Sequence, residues 1–137
     1  MKKTFILMAS FMMFYVMGFS QNVENLVNNS NSSTAIPKIL WLNTETIDLG
    51  KIEKGNPKTV TFELKNTGNT PLIISSAKGT CGCTNVVYSV EPIKPNEKGF
   101  VKATYNAANI GTFNKSINVV ANTSEQQIQL IIKGEVF

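Results

Sequence analysis

Histidine and arginine are both absent from the 137 residues, and aspartate occurs once, at Asp48. Without histidine the chain lacks the commonest general base, the commonest metal ligand and the usual activator of a nucleophilic serine or cysteine. Without arginine it lacks the planar fork that grips phosphate and guanine, and its thirteen lysines are scattered along the chain. These absences argue against an enzyme and against a nucleic-acid binder; no catalytic residue and no cofactor are expected. Cysteine is nearly missing too, with Cys81 and Cys83 the only pair. The single tryptophan, Trp41, is expected to pack in the core or at the domain edge.

Long apolar runs are scarce, and the only one stands at the start. Lys2 and Lys3 precede an almost uncharged stretch over residues 5–19, which closes on Gly18-Phe19-Ser20. Small residues there occupy the two positions a signal peptidase reads. The run is shorter than the roughly 20 apolar residues that a spanning helix needs. Residues 1–20 are therefore expected to be a cleaved secretory signal peptide, and Gln21 the mature N-terminus. No cysteine follows the run to carry a lipid, so the mature chain is expected to have no transmembrane segment or lipid anchor. Periplasmic or extracellular residence follows. Cleavage leaves 117 residues, the usual size of one domain. Lys2 and Lys3 go with the signal peptide, leaving eleven lysines against nine acidic residues, a net charge near +2.

Two textures divide the remainder. Residues 21–37 are rich in Asn and Ser with few large apolar side chains, and read as a flexible leader. From 38 to 137, short β-rich runs alternate with Gly, Pro and Asn punctuation at intervals of roughly 8–12 residues. Residues 39–42 and 46–49 read as an opening strand broken by a turn. In the run Thr59-Val60-Thr61-Phe62-Glu63-Leu64-Lys65, strict alternation sends Val60, Phe62 and Leu64 to the core. Asn66-Thr67-Gly68-Asn69 is a turn. Strands are expected at 72–77, 86–90, 100–105, 113–121 and 126–136. Val101, Ala103, Tyr105, Ile117, Val119, Ile128, Leu130, Ile132 and Val136 point inward, and Phe100 and Ile131 outward. About seven strands in about 100 residues predict an all-β, Ig-like sandwich. The opening and terminal strands are expected at sheet edges, where a partner strand can add.

In order along the chain, these runs resemble the exported bacterial family called domain of unknown function 1573. The resemblance is carried by Ile47-Asp48-Leu49-Gly50-Lys51-Ile52 leading to Gly55, and by Phe62 with Lys65-Asn66-Thr67-Gly68. Pro71-Leu72-Ile73-Ile74, Gly79-Thr80-Cys81-Gly82-Cys83-Thr84 and Ile93-Lys94-Pro95-Asn96-Glu97-Lys98-Gly99 follow. Gly111-Thr112-Phe113-Asn114-Lys115, Asn122 and the closing Ile132-Lys133-Gly134-Glu135-Val136 complete it. One departure is Asn96, where the family more often has Gly; Asn tolerates positive φ, so the turn should survive. The resemblance implies an Ig-like sandwich similar to major sperm protein and ASPM/Hydin-type domains, and no enzyme activity.

Chemistry concentrates in Lys78-Gly79-Thr80-Cys81-Gly82-Cys83-Thr84. Two cysteines in an exported chain are ordinarily one disulfide. On an extended strand, residues two apart lie roughly 6.5–7 Å apart at Cα, near the upper limit for a bridge, and Gly82 lets the backbone fold tighter. Such a bridge closes a very small ring, adds little stability and is easier to reduce. Four readings stay open: a packed thiol pair or local disulfide, a dithiol redox site, a soft-metal site at Cys81 and Cys83, and capture of a partner thiol. The leading expectation is a non-catalytic, extracytoplasmic interaction or structural module with a protein or cell-envelope partner. The alternative is a small thiol redox or soft-metal-handling protein using the Cys-Gly-Cys loop.

Overall fold

The computed structural model describes residues 35–137; the expected signal peptide (1–20) and the leader through residue 34 lie outside the described residues. Eight strands are formed: β1 (Ile39–Trp41), β2 (Thr46–Ile52), β3 (Lys58–Asn66), β4 (Ile74–Gly79), β5 (Thr84–Tyr88), β6 (Lys98–Tyr105), β7 (Gly111–Ala121) and β8 (Gln127–Val136). They make two four-stranded sheets in the orders β1-β3-β6-β5 and β2-β8-β7-β4. Among the described residues there is no helix. The fold is the Ig-like β-sandwich that the period-two alternation predicts.

That alternation builds the core directly. Phe62 and Leu64 of β3 and Val101 and Ala103 of β6 are fully buried from one sheet, and Ile117, Val119, Leu130 and Ile132 from the other. Each large side chain among them contributes about 1.5–3 kcal/mol by leaving water. Tyr105 and Phe113 stack across the two sheets with ring centroids 4.1 Å apart. Trp41 packs against the core from β1 and remains partly exposed.

Pairing departs from expectation at both ends of the domain. Residues 39–42 and 46–49 are not one interrupted strand: β1 joins β3, whereas β2 joins β8 in the opposite sheet. The switch is made by Asn43, whose Nδ2 donates to the Thr61 carbonyl at 2.8 Å while its Oδ1 accepts from the Glu63 amide at 2.9 Å. Thr44 then caps the bend by donating to the Thr46 carbonyl. The terminal strand β8 is not an edge, because β2 pairs with it in parallel and leaves it between β2 and β7. The third expected strand begins later, at Ile74, with Leu72 held outside it in an isolated bridge to Ile93. The strand expected over 86–90 starts at Thr84, directly after the cysteines.

Every sheet edge is short or interrupted. β1 has three residues and β5 five, and both β2 and β4 carry register shifts. Short strands, bulges and edge lysines are the devices that discourage strand addition. Sheet faces are therefore better placed than edges to meet a partner.

Candidate functional site

Cys81 and Cys83 lie in the four-residue connection that carries the chain from β4 in one sheet to β5 in the other. Both strands are edges on the same side of the sandwich, so the loop spans its rim. The two sulfurs are joined as a disulfide, with Cα atoms 5.2 Å apart. Backbone bonds fix the loop at each end. The Thr80 amide donates to the Ser116 carbonyl at 3.0 Å, and the Asn106 amide to the Cys83 carbonyl at 3.0 Å. Inside it, the Thr84 amide approaches the Cys81 carbonyl at 3.4 Å. Gly79 is required where the loop closes: a Cβ there would meet the Thr84 carbonyl oxygen at 2.9 Å.

Both cysteines are partly exposed, Gly82 between them is exposed, and Thr84 beneath is buried. Thr84 Oγ1 lies 3.8 Å from Cys81 Sγ and 3.9 Å from Cys83 Sγ. The sulfurs differ in surroundings. Cys83 packs against the core cluster, while Cys81 faces an open depression shared with Lys78, Thr80 and Asn85. Among the described residues no three Cys, Asp or Glu side chains gather as metal ligands. Two thiolates alone fall short of the four donors of structural zinc.

A second feature emerges only from the register. On the outer face of the β1-β3-β6-β5 sheet, Lys65 stands opposite Lys98, Glu63 opposite Phe100, and Thr61 opposite Lys102, with Val87 of β5 beyond. Leu40 lies beside Lys65 on the same face. Leu40 is 50% exposed, Val87 53% and Phe100 37%, so apolar and cationic groups interleave across the sheet. Lys102 Nζ sits 5.6 Å from the centre of the Phe100 ring, within cation–π reach. The outer face of the other sheet is different. There Lys51 pairs with Glu135 at 3.8 Å and Lys133 with Asp48 at 3.9 Å, Lys78 stands unpaired opposite Asn118, and Val120 and half-buried Ile131 sit among Asn114, Ser116 and Gln129. Reading the sequence placed Phe100 on the outward phase but missed the three lysines around it. They come from two strands whose pairing register no local pattern encodes.

The topology and the solved structures that share it define an Ig-like β-sandwich. A protein of unknown function from Porphyromonas gingivalis W83 superposes with a TM-score of 0.65 at 17% identity, covering 78% of this chain and 51% of that one. The PapD-like domain 7 of human CEP192 gives 0.57 at 14% identity, covering 75% and 86%. The YadV chaperone gives 0.52 at 17% identity, covering 72% and 51%. This chain thus spans about half the length of the first and third of these proteins. At such identities the likeness is one of fold. No curated protein matches the sequence. The chain belongs to the family described as protein of unknown function (DUF1573), whose model matches residues 40–136.

Proposed function

We propose that this protein is an exported, non-catalytic interaction module whose contact surface is the outer face of the β1-β3-β6-β5 sheet. The observation that carries the reading is the asymmetry of the two outer faces. Among the described residues, one pairs two of its three lysines with acids, leaves only Lys78 unpaired at the β4 edge, and carries Val120 and Ile131 among polar side chains. The other holds Leu40, Val87 and Phe100 exposed among Lys65, Lys98 and Lys102, none of which has an ion-pair partner among the described residues, with Glu63 the one acid between them. Apolar anchors ringed by one sign of charge suit a protein partner that offers carboxylates around apolar side chains. Export is inferred from residues 1–20, and periplasmic or extracellular residence follows from it. Fold likeness to the YadV chaperone supports a protein partner.

A photocrosslinker placed at Phe100, with one at Gln129 on the opposite face as control, tests the reading in the native cell. The expected result is a discrete protein adduct from position 100. It should be absent from position 129 and lost when Lys65, Lys98 and Lys102 are all replaced by Glu. Equal labelling from both faces, or labelling indifferent to the charge reversal, overturns it.

A further inference from the structure

The disulfide is redundant for the fold. A structural bridge stabilises by closing a long loop in the unfolded chain, and a bridge across one residue closes almost none. The segments it joins are already tied down by the Thr80–Ser116 and Asn106–Cys83 backbone bonds. It links neither sheet to sheet nor strand to strand. It lies instead on the rim of the sandwich, partly exposed and beside an open depression.

We propose that Cys81–Cys83 is a thiol–disulfide exchange site that accepts two electrons from a partner protein carrying two neighbouring cysteines. The site uses residues outside the sheet face described above, and its failure would leave that surface standing. A partner thiolate reaches Cys81, whose sulfur faces the depression, and exposed Lys78 on the depression's rim draws the anion in. The new bond forms between the partner's sulfur and Cys81 Sγ as the bond between Cys81 Sγ and Cys83 Sγ breaks. Cys83 leaves as a thiolate and takes a proton from water. Thr84 Oγ1, 3.9 Å away, closes in to donate a hydrogen bond to that anion. A hydrogen bond to the charged form makes a thiol a better leaving group. The partner's second thiolate then attacks the partner's first sulfur and expels Cys81, which is protonated in turn. The partner dithiol is oxidised to a disulfide, and the loop is reduced to two thiols.

The test uses the oxidised protein under native conditions with dithiothreitol as the dithiol probe. Thiols are counted by alkylation and intact mass while circular dichroism follows the fold. Two thiols are expected per chain with an unchanged β-sheet signal and a thermal midpoint lowered by less than about 4 °C. Single variants then identify the entry sulfur. With glutathione disulfide as probe, Cys83→Ser, which keeps Cys81, is expected to form its mixed disulfide at least about tenfold faster than Cys81→Ser, because Cys83 packs on the core. A bridge that resists the dithiol until the protein unfolds, a reduction that itself unfolds the domain, or faster capture by Cys83 overturns the proposal.

Discussion

The side-chain amide of Asn66, fully buried at the end of β3, donates to the Ile93 carbonyl at 2.9 Å and so ties β3 to the loop that precedes β6. Its Nδ2 also donates to the Thr70 carbonyl at 2.7 Å, and its Oδ1 accepts from the Gly68 amide at 2.9 Å. Its backbone is engaged as well, donating to Glu97 and accepting from Asn96. One residue therefore organises two turns at one end of the sandwich, and no buried side-chain polar atom among the described residues lacks a partner.

Replacing Asn66 with Ala should accordingly be among the most damaging single changes to a polar residue. It takes one of two donors from the Ile93 carbonyl, which keeps the Leu72 amide, and releases the Thr70 carbonyl and the Gly68 amide. Three side-chain hydrogen bonds are lost at about 0.5–1.5 kcal/mol each, so a loss of roughly 2–4 kcal/mol is expected. Urea denaturation should show a lower midpoint with an unchanged slope. Asn66→Asp keeps the acceptor but turns a carboxylate toward two carbonyls, and should do no better. A loss under about 1 kcal/mol in either variant would mean that water or a rearranged turn replaces these bonds.

Asn96 accepts a conformation that few residues hold, with φ at +67°, and its amide donates to the Asn66 carbonyl at 2.8 Å. Left-handed backbone costs an ordinary L-residue roughly 1–2 kcal/mol, and less for Asn. Asn96→Gly should therefore be neutral or slightly stabilising, while Asn96→Val should lose about 1–2 kcal/mol. Thermal melts of the two variants separate this from a side-chain role for Asn96. If Gly were as harmful as Val, backbone strain would not be the reason.

What the sequence reveals of this molecule is what is local. Alternation in 59–65 and 100–105 identifies which side chains enter the core, because side-chain direction reverses at every residue of a strand. The Asn66-Thr67-Gly68 turn and the Cys-Gly-Cys loop are likewise visible as short motifs. Partner choice is not. The polar stretch at Asn43 and Thr44 looks like a turn within one strand, yet it carries the chain to the other sheet. Only the distant Thr61 and Glu63, with which Asn43 bonds, decide that outcome. The same holds for the parallel pairing of β2 with β8, which removes the C-terminal strand from the edge. The convergence of Lys65, Lys98 and Lys102 on Phe100 is equally a product of register between strands far apart in sequence.

Lys65 and Lys98 face each other directly across β3 and β6, an arrangement that disfavours the folded state. Lys65→Glu should convert repulsion to attraction and stabilise the domain by about 0.2–1 kcal/mol. The gain should fade in 1 M salt, where charges are screened within about 3 Å. If the lysines serve a partner, the same variant should weaken crosslinking from position 100 several-fold while it raises the melting temperature. Opposite movements of stability and binding are the signature of a surface kept for contact. A variant more stable and equally well captured would remove Lys65 from the interface.

Thr84 offers the sharpest probe of the loop, because its hydroxyl lies within 4 Å of both sulfurs while its buried position limits what else a substitution disturbs. Thr84→Val keeps the shape and removes the donor. Loss of one hydrogen bond to a departing thiolate, about 1 kcal/mol, should slow native-state reduction by dithiothreitol about fivefold. Asn85→Ala, which removes an exposed neighbour in the same depression, should leave the rate unchanged. Stopped-flow alkylation of the two variants and the parent, with thermal melts alongside, makes the comparison. Slowing in Thr84→Val at constant melting temperature places the hydroxyl in the exchange step. Equal rates would leave Thr84 as packing beneath the loop, and would assign the stabilisation of the leaving sulfur to solvent.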